Sequence, residues 1–245
     1  MRIDASTIQY KELNEAVRLT GDTDITIDGV VGHRYIGAGI KGKKLVINGV
    51  PGNALGAYLD GSTIEVFGNA QDAIGDTMNA GSIIVHGNCG DTAGYGMRSG
   101  SVYIKGNAGY RVGIHMKEYM ELVPTVVVGG VVGDFLGEYQ AGGTIIVLGL
   151  RDNSNAGKPV VGHFCATGQH GGRIFIRTDE LPKNLPAQVI CRDADDDDKA
   201  FLRKYVEQYV AHFNAEFSVD DIMSAHFYAV LPNSKSPYKQ LYTSN

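Results

Sequence analysis

Glycine recurs in this chain in two columns that share one period. Gly49, Gly68, Gly87 and Gly106 stand 19 residues apart, and Gly37, Gly56, Gly75, Gly94 and Gly113 keep the same step. Two columns locked to one interval define an internal repeat. A period of roughly 20 residues belongs to arrays in which each unit stacks on the next. The chain is accordingly rich in glycine, 33 of 245 residues, against a usual share of roughly 7%. No collagen-like triplet accompanies the excess, so it belongs to recurrent turns.

Each unit carries a short strand ahead of its first glycine. Leu45 and Ile47 precede Gly49, Ile64 and Val66 precede Gly68, Ile83 and Val85 precede Gly87, and Val102 and Ile104 precede Gly106. Residues two apart share one face of a strand. The alternate positions include Asn48, Glu65, His86 and Lys105, so the pattern predicts a strand that is apolar on one side. Such a strand cannot bury itself, and stacking the copies makes a continuous apolar column.

The period breaks twice, each time by an insertion. Val126 and Val128 before Gly130 resume the pattern 24 residues after Gly106, which places about five extra residues within 115–124. Gly130 to Gly149 is again 19, with Ile145 and Val147 pointing inward. Ile174 and Ile176 then appear before Thr178, 29 residues after Gly149, which assigns a ten-residue insert to 150–159. Surface excursions of a stack are where inserts belong. Eight units run from Ile25 to Thr178. The expected fold is mainly β: a single-stranded parallel β-helix, a solenoid with a repeat of about 19 residues, with a short N-terminal helix and C-terminal helices.

The connection within the unit follows G-x-x-G-x-x-x-G. It is complete at Gly49, Gly52 and Gly56, at Gly87, Gly90 and Gly94, at Gly106, Gly109 and Gly113, and at Gly130, Gly133 and Gly137. Gly68 and Gly75 keep the ends around Gln71, and Gly29, Gly32 and Gly37 keep the beginning with one residue added. These glycines are assigned as structural turns, because glycine accepts positive φ and close backbone approach. Asn69, Asn88 and Asn107 follow the first glycine of successive units, which suggests a hydrogen-bonded ladder.

Outside the repeat, residues 4–19 read as a short helix with Ser6 and Thr7 ahead of Leu13, Ala16, Val17 and Leu19, ending at Gly21. Beyond Thr178, Leu181-Pro182 and Leu185-Pro186 read as a linker. A helix follows, with Phe201, Leu202, Tyr205, Val206, Tyr209, Val210 and Phe213 on one face. Asp193 and Asp195 to Asp198 stand at its start, where the helix dipole favours acid; the run lacks the spaced ligands and glycine of a calcium loop. Ser218 and Asp221 fit the cap of a second helix. The organisation expected is a repeat domain over 1–180 with its helical cap, and a helical extension over 181–245.

A net charge of −5 and a pI near 5.8 give no basis for nucleic-acid binding, which needs a concentrated basic face. No uncharged apolar run reaches the roughly 18 residues of a membrane span, and residues 1–10 do not form a secretory signal. A cytoplasmic protein is expected. Cys89, Cys165 and Cys191 form no CxxC and are too few for a disulfide framework; they read as small core side chains.

Three chemical motifs compete with the repeat and lose to it. Gly37, Gly39 and Gly42 match GxGxxG, yet a dinucleotide site needs a helix next, and residues 44–48 read as a strand. Ser62, Ser82 and Ser101 follow repeat glycines without a G-x-S-x-G elbow. His163, Cys165 and His170 are the one local cluster of soft ligands, too few and wrongly spaced to close a zinc site. No catalytic or metal-binding residue is therefore assigned, and no cofactor is expected on this chain.

The copies of G-x-x-G-x-x-x-G, together with residues 138–149 (EYQAGGTIIVLG), resemble the β-helix domain at the C-terminal end of the glutamate synthase large subunit. The resemblance covers about 25–178, and Phe227 to Pro232 resembles the tail that follows in that family, while 235–245 diverges. A related β-helix occurs in a subunit of formylmethanofuran dehydrogenase. The resemblance implies a right-handed coil and a non-catalytic subunit. It implies partners, a glutaminase module and an FMN-binding, iron–sulfur synthase module, with those cofactors in the partners. A homo-oligomer is also compatible with it. Two rival readings are a scaffold for a formylmethanofuran-dehydrogenase-like complex and a stand-alone enzyme with a site in a groove of the coil.

Overall fold

The computed structural model describes residues 1–150, 152, 154–213 and 216–233. The sequence divergence noted over 235–245 lies outside the described residues, as do Arg151 and Asn153 of the second insert. Eleven strands form one sheet: β1 (Arg2–Asp4), β2 (Asp24–Val31), β3 (Lys44–Val50), β4 (Asp60–Phe67), β5 (Ala80–Val85), β6 (Ser101–Ile104), β7 (Thr125–Val128), β8 (Ala141–Val147), β9 (Gly171–Arg177), β10 (Val189–Asp193) and β11 (Phe227–Pro232). The order is β1 to β9 in sequence, then β11 and β10. Strands β1 to β9 pair in parallel, while β11 is antiparallel to both of its neighbours.

Register follows the repeat. Leu45 pairs with Ile64, Ile64 with Ile83, and Ile83 with Val102. The two insertions leave it intact, with Val102 opposite Val126 and Ile145 opposite Ile174. Because side chains alternate with period two, a one-residue slip would turn every inward isoleucine outward. The extra residue of the first unit is absorbed as an irregularity between Ile27 and Val30, where Asp28 and Gly29 stand against Asn48.

The turns stack as regularly as the strands. Ala54, Ala73, Thr92 and Arg111 donate their N–H to the carbonyls of Asp72, Asp91, Tyr110 and Asp134 in the next unit, at 2.7–2.9 Å. Two residues later the direction reverses, and Gly56, Gly75, Gly94 and Gly113 donate back to Ile36, Leu55, Ile74 and Ala93 at 2.8–2.9 Å. The backbone of the connecting arc is thus satisfied between units although it is not strand. Residues of the strands and of the arc share one apolar core that includes Ile47, Leu55, Met78, Ile83, Met97, Val112 and Leu136.

Three parts depart from the sequence reading. The N-terminal segment expected to be helical over 4–19 begins as β1, and the helix α1 covers only Tyr10–Leu19. Ser6 and Thr7 do not cap it: its N-cap is Gln9, without a side-chain bond, and the Ser6 N–H binds Asp4 Oδ1 at 3.0 Å. The 181–245 segment supplies two strands besides its helices α2 (Asp196–Phe213) and α3 (Val219–Met223). Ser218 and Asp221 form the full capping box at α3.

The third departure concerns the sheet's outer face. The one-sided pattern describes β2 to β4, where the outward column reads Thr26, Val46 and Glu65, all half-buried. The same column continues as Ile84, Tyr103, Val127, Ile146 and Phe175, all buried. Helix α2 lies over them with Leu202, Val206, Tyr209 and Phe213, forming a second core. Tyr209 fits because residue 129 is glycine, where a Cβ would collide with the tyrosine hydroxyl; that hydroxyl donates to Lys105 O at 2.8 Å.

Candidate functional site

The glycines assigned as turns fall into two kinds. Gly49, Gly68, Gly87, Gly106 and Gly130, with Gly52, Gly90, Gly109 and Gly133 three residues on, sit where the preceding unit passes close by. At Gly106 a Cβ would collide with Asn88 Oδ1. That oxygen is in place to accept the Asn107 N–H at 2.8 Å. Every member of the column Gly56, Gly75, Gly94, Gly113 and Gly137 has positive φ, as Gly49 of the first kind also does; at Gly113 it is +70°, and a Cβ would meet the Ile145 side chain two units on.

The asparagine ladder runs between side chain and backbone. Asn69 Oδ1 accepts the Asn88 N–H at 2.8 Å, and Asn107 Oδ1 accepts the Val131 N–H at 2.9 Å. A second ladder was not read from sequence: Asp72, Asp91 and Asp134 accept the N–H groups of Asp91, Tyr110 and His163 at 2.7–2.9 Å. Its signal was present, since Asp72 and Asp91 are 19 residues apart like Asn69 and Asn88. The second insert folds back onto the end of the first ladder, where Asn155 Nδ2 donates to Asn107 Oδ1 at 3.0 Å.

The repeat also explains the competing motifs. Gly37, Gly39 and Gly42 lead into strand β3. Ser62, Ser82 and Ser101 lie in β4, β5 and β6 and not in turns, and the Ser62 hydroxyl accepts the Lys43 N–H at 3.0 Å. Cys89 and Cys165 are buried, and burial pushes the Cys165 thiol up to about 12; a thiol so protonated is a poor nucleophile or ligand. Among the described residues no three His, Cys, Asp or Glu side chains are placed to hold a metal ion.

Two features of the surface stand apart from the stacked turns. One is a groove of about 640 Å³ at the last unit, lined by Lys158, His163, Thr178, Asp179, Glu180 and Lys183 among others. His163 Nδ1 lies 3.4 Å from Asp134 Oδ1, with its ring exposed. The lining carries Lys158 and Lys183 together with Asp179 and Glu180. The other is the first insert, whose tip closes through mutual backbone bonds between Tyr119 and Leu122 at 3.0 and 3.1 Å. It raises Tyr119, Met120, Leu122 and Val123 into solvent.

Fold and site together define a repeat-built, mainly β protein in which stacked glycine turns carry most of the recognisable chemistry. The GXGXG motif model matches residues 6–233, so the chain belongs to the GXGXG motif family, the domain type of the glutamate synthase large subunit. It is 40% identical, over 98% of this chain and 95% of the other, to the uncharacterized protein MJ1350 of Methanocaldococcus jannaschii. Its fold is similar to a chain of the formyltransferase/hydrolase complex (FhcABCD) of Methylorubrum extorquens, solved with methylofuran. That likeness has a TM-score of 0.63 and 19% identity, over 93% of this chain and 89% of that one. Among the described residues no helix is long and apolar enough to cross a membrane.

Proposed function

We propose that this chain is a non-catalytic right-handed parallel β-helix subunit of a cytoplasmic glutamate-synthase-type assembly. Its role is to hold a glutaminase module and an FMN-binding, iron–sulfur module in fixed relative position for glutamate formation. The observation that carries the reading is the ladder of parallel strands and stacked turns from β1 to β9, most of which lies within the family match over 6–233. A body whose backbone is bonded between units on both wall and arc resists shear, which suits a spacer between two reacting centres. Ammonia released at one centre must reach the other without escaping, so the distance between them is functional.

The test is reconstitution. Purified glutaminase and FMN-binding subunits are assayed for glutamine-dependent glutamate formation with and without this chain, and ammonia release is followed in parallel. The reading predicts that the chain raises coupling of the two half-reactions while showing no turnover alone. Equal coupling and equal assembly without it would sink the proposal.

The second reading, a scaffold in a formylmethanofuran-dehydrogenase-like complex, is favoured by the fold likeness to the formyltransferase/hydrolase chain. It predicts co-purification with formyl-transferring subunits instead.

A further inference from the structure

The sheet has two ends, and they are finished differently. At one end β1 is three residues long. Its Ala5 N–H binds Asp28 O, and Met1 O accepts from Thr26 N–H, so Arg2 and Asp4 turn their backbone groups outward. A short edge strand with charged outward residues discourages further pairing. At the other end β10 is five residues long, and β11 is its one neighbour in the sheet.

Hydrogen bonds fix which way each β10 backbone group points. Ala194 N–H binds Phe227 O, and Gln188 O accepts from Asn233 N–H, both at 2.8 Å. An antiparallel ladder alternates with period two. Ile190 and Arg192 therefore also face β11, while Val189, Cys191 and Asp193 present their N–H and C=O at the open edge. Part of that edge is used within the chain: Val189 N–H binds Pro186 O at 3.1 Å, and Asp193 O accepts from Arg192 Nη1 at 2.9 Å. Among the described residues the N–H of Cys191 and Asp193 and the C=O of Val189 and Cys191 have no partner.

These free groups match themselves under a two-fold rotation. With β10 set antiparallel to a second β10 and Cys191 opposite Cys191, each Cys191 N–H meets the C=O of the other. Each Asp193 N–H then meets Val189 O of the second copy. The remaining bonds of such a ladder would run from Val189 N–H to Asp193 O, and those are the groups already satisfied within the chain. A slip of two residues either way sets a free group against an occupied one. The side chains agree with the pairing. Val189 and Cys191 pack against the inner core, so Ile190, 50% exposed, lies on the other face, opposite Arg192 of the second copy. The Arg192 head is held by Asp198 at 2.6 Å and Asp195 at 3.1 Å, which leaves its aliphatic stem to cover the isoleucine.

We propose that the open edge of β10 pairs with the same edge of a second copy of this chain, joining two sheets about a two-fold axis. Such a contact closes on itself, whereas β10 pairing with β1 would give an open row of copies. The contact is small, which sets association in the micromolar range. The dimer does not depend on the assembly reading and adds to it the stoichiometry of the chain.

Sedimentation velocity of the purified chain, with hydrogen exchange of the Asp193 amide followed over the same concentrations, tests the pairing. Wild-type protein is expected to pass from 26.3 kDa to twice that mass as concentration rises, with the amide slowed in step. Cys191→Pro removes an N–H that β11 does not use, a position where an edge strand accepts proline. It should shift melting by no more than about 4 °C and weaken dimerisation about tenfold or more, the loss of two backbone hydrogen bonds. Ile190→Lys, an edge charge at an exposed position, weakens it similarly and carries the test if the proline variant does not fold. A wild-type monomer at every concentration would overturn the proposal, whether its Asp193 amide exchanges freely or is protected by its own chain. So would a dimer that survives both substitutions, or an open-ended series of larger species.

Discussion

The outer face of the sheet over β2 to β4 and the outer face over β5 to β9 are the same column of the same repeat, yet they solve different problems. Val46 and Glu65 stay half in water, whereas Tyr103, Val127 and Phe175 are sealed under α2. A strand paired on both edges tolerates either outcome, because the ladder satisfies the backbone and leaves the outward side chain to its surroundings. The repeat therefore dictates the inner face and permits variation on the outer one. The 18-residue helix α2 spends that freedom on tying β5 through β9 together.

The largest test of this contrast is a pair of truncations at equivalent positions. Phe175→Ala should cost about 3–5 kcal/mol, the loss typical of a buried aromatic. Val46→Ala, three units earlier than Tyr103 in the same column, should cost less than about 1 kcal/mol, since little burial is lost. Urea unfolding of both variants measures the difference, and equal losses would mean that α2 contributes no second core.

The inner scaffold, by comparison, should be uniformly intolerant. Gly106→Ala places a methyl against Asn88 Oδ1 and the Gly87 carbonyl, and overpacking of this kind costs about 1–3 kcal/mol. Adding Asn88→Ala removes one of the colliding atoms, so the double variant should be more stable than the sum of the singles predicts. Strict additivity in a double-mutant cycle would show that the ladder and the glycine column are independent.

The smallest effect sits at the boundary between the two regions. The C-terminal end of α2 places the His212 ring 4.8 Å from Tyr103, near Glu65 and His86, which are themselves 3.0 Å apart. Burial, opposed by Glu65 and aided by His86, lowers the His212 pKa below the usual 6.5. The neutral imidazole is favoured in the folded chain, so the unfolded chain binds more protons between that lowered value and 6.5. Stability is then fully present above 6.5 and is lost as pH falls through the folded value. Thermal melts from pH 7.5 to 5 should show a decline that His212→Gln reduces; an identical decline in the variant would remove His212 from the account.

Much of the architecture was legible because it is periodic. The inward pairs from Ile25 to Ile176, both insertions and the asparagine ladder follow from spacing alone, since stacked units repeat the same contact at every turn. The non-periodic parts were harder to read. Strand β1 is three residues long and exists because β2 offers it an open edge. Strands β10 and β11 form by antiparallel pairing with one another and with β9, a contact between residues 35 or more apart in sequence that no local pattern encodes.

The first insert divides in the same way. The apolar residues of the first insert could be read, while their exposure could not. The sequence alone determined the period, the inward face and the glycine corners, because each depends on spacing within one unit. The tertiary structure decided which strands are covered on their second face and which charges meet across units. Both depend on segments distant in the chain, and burial is a property of what arrives from elsewhere.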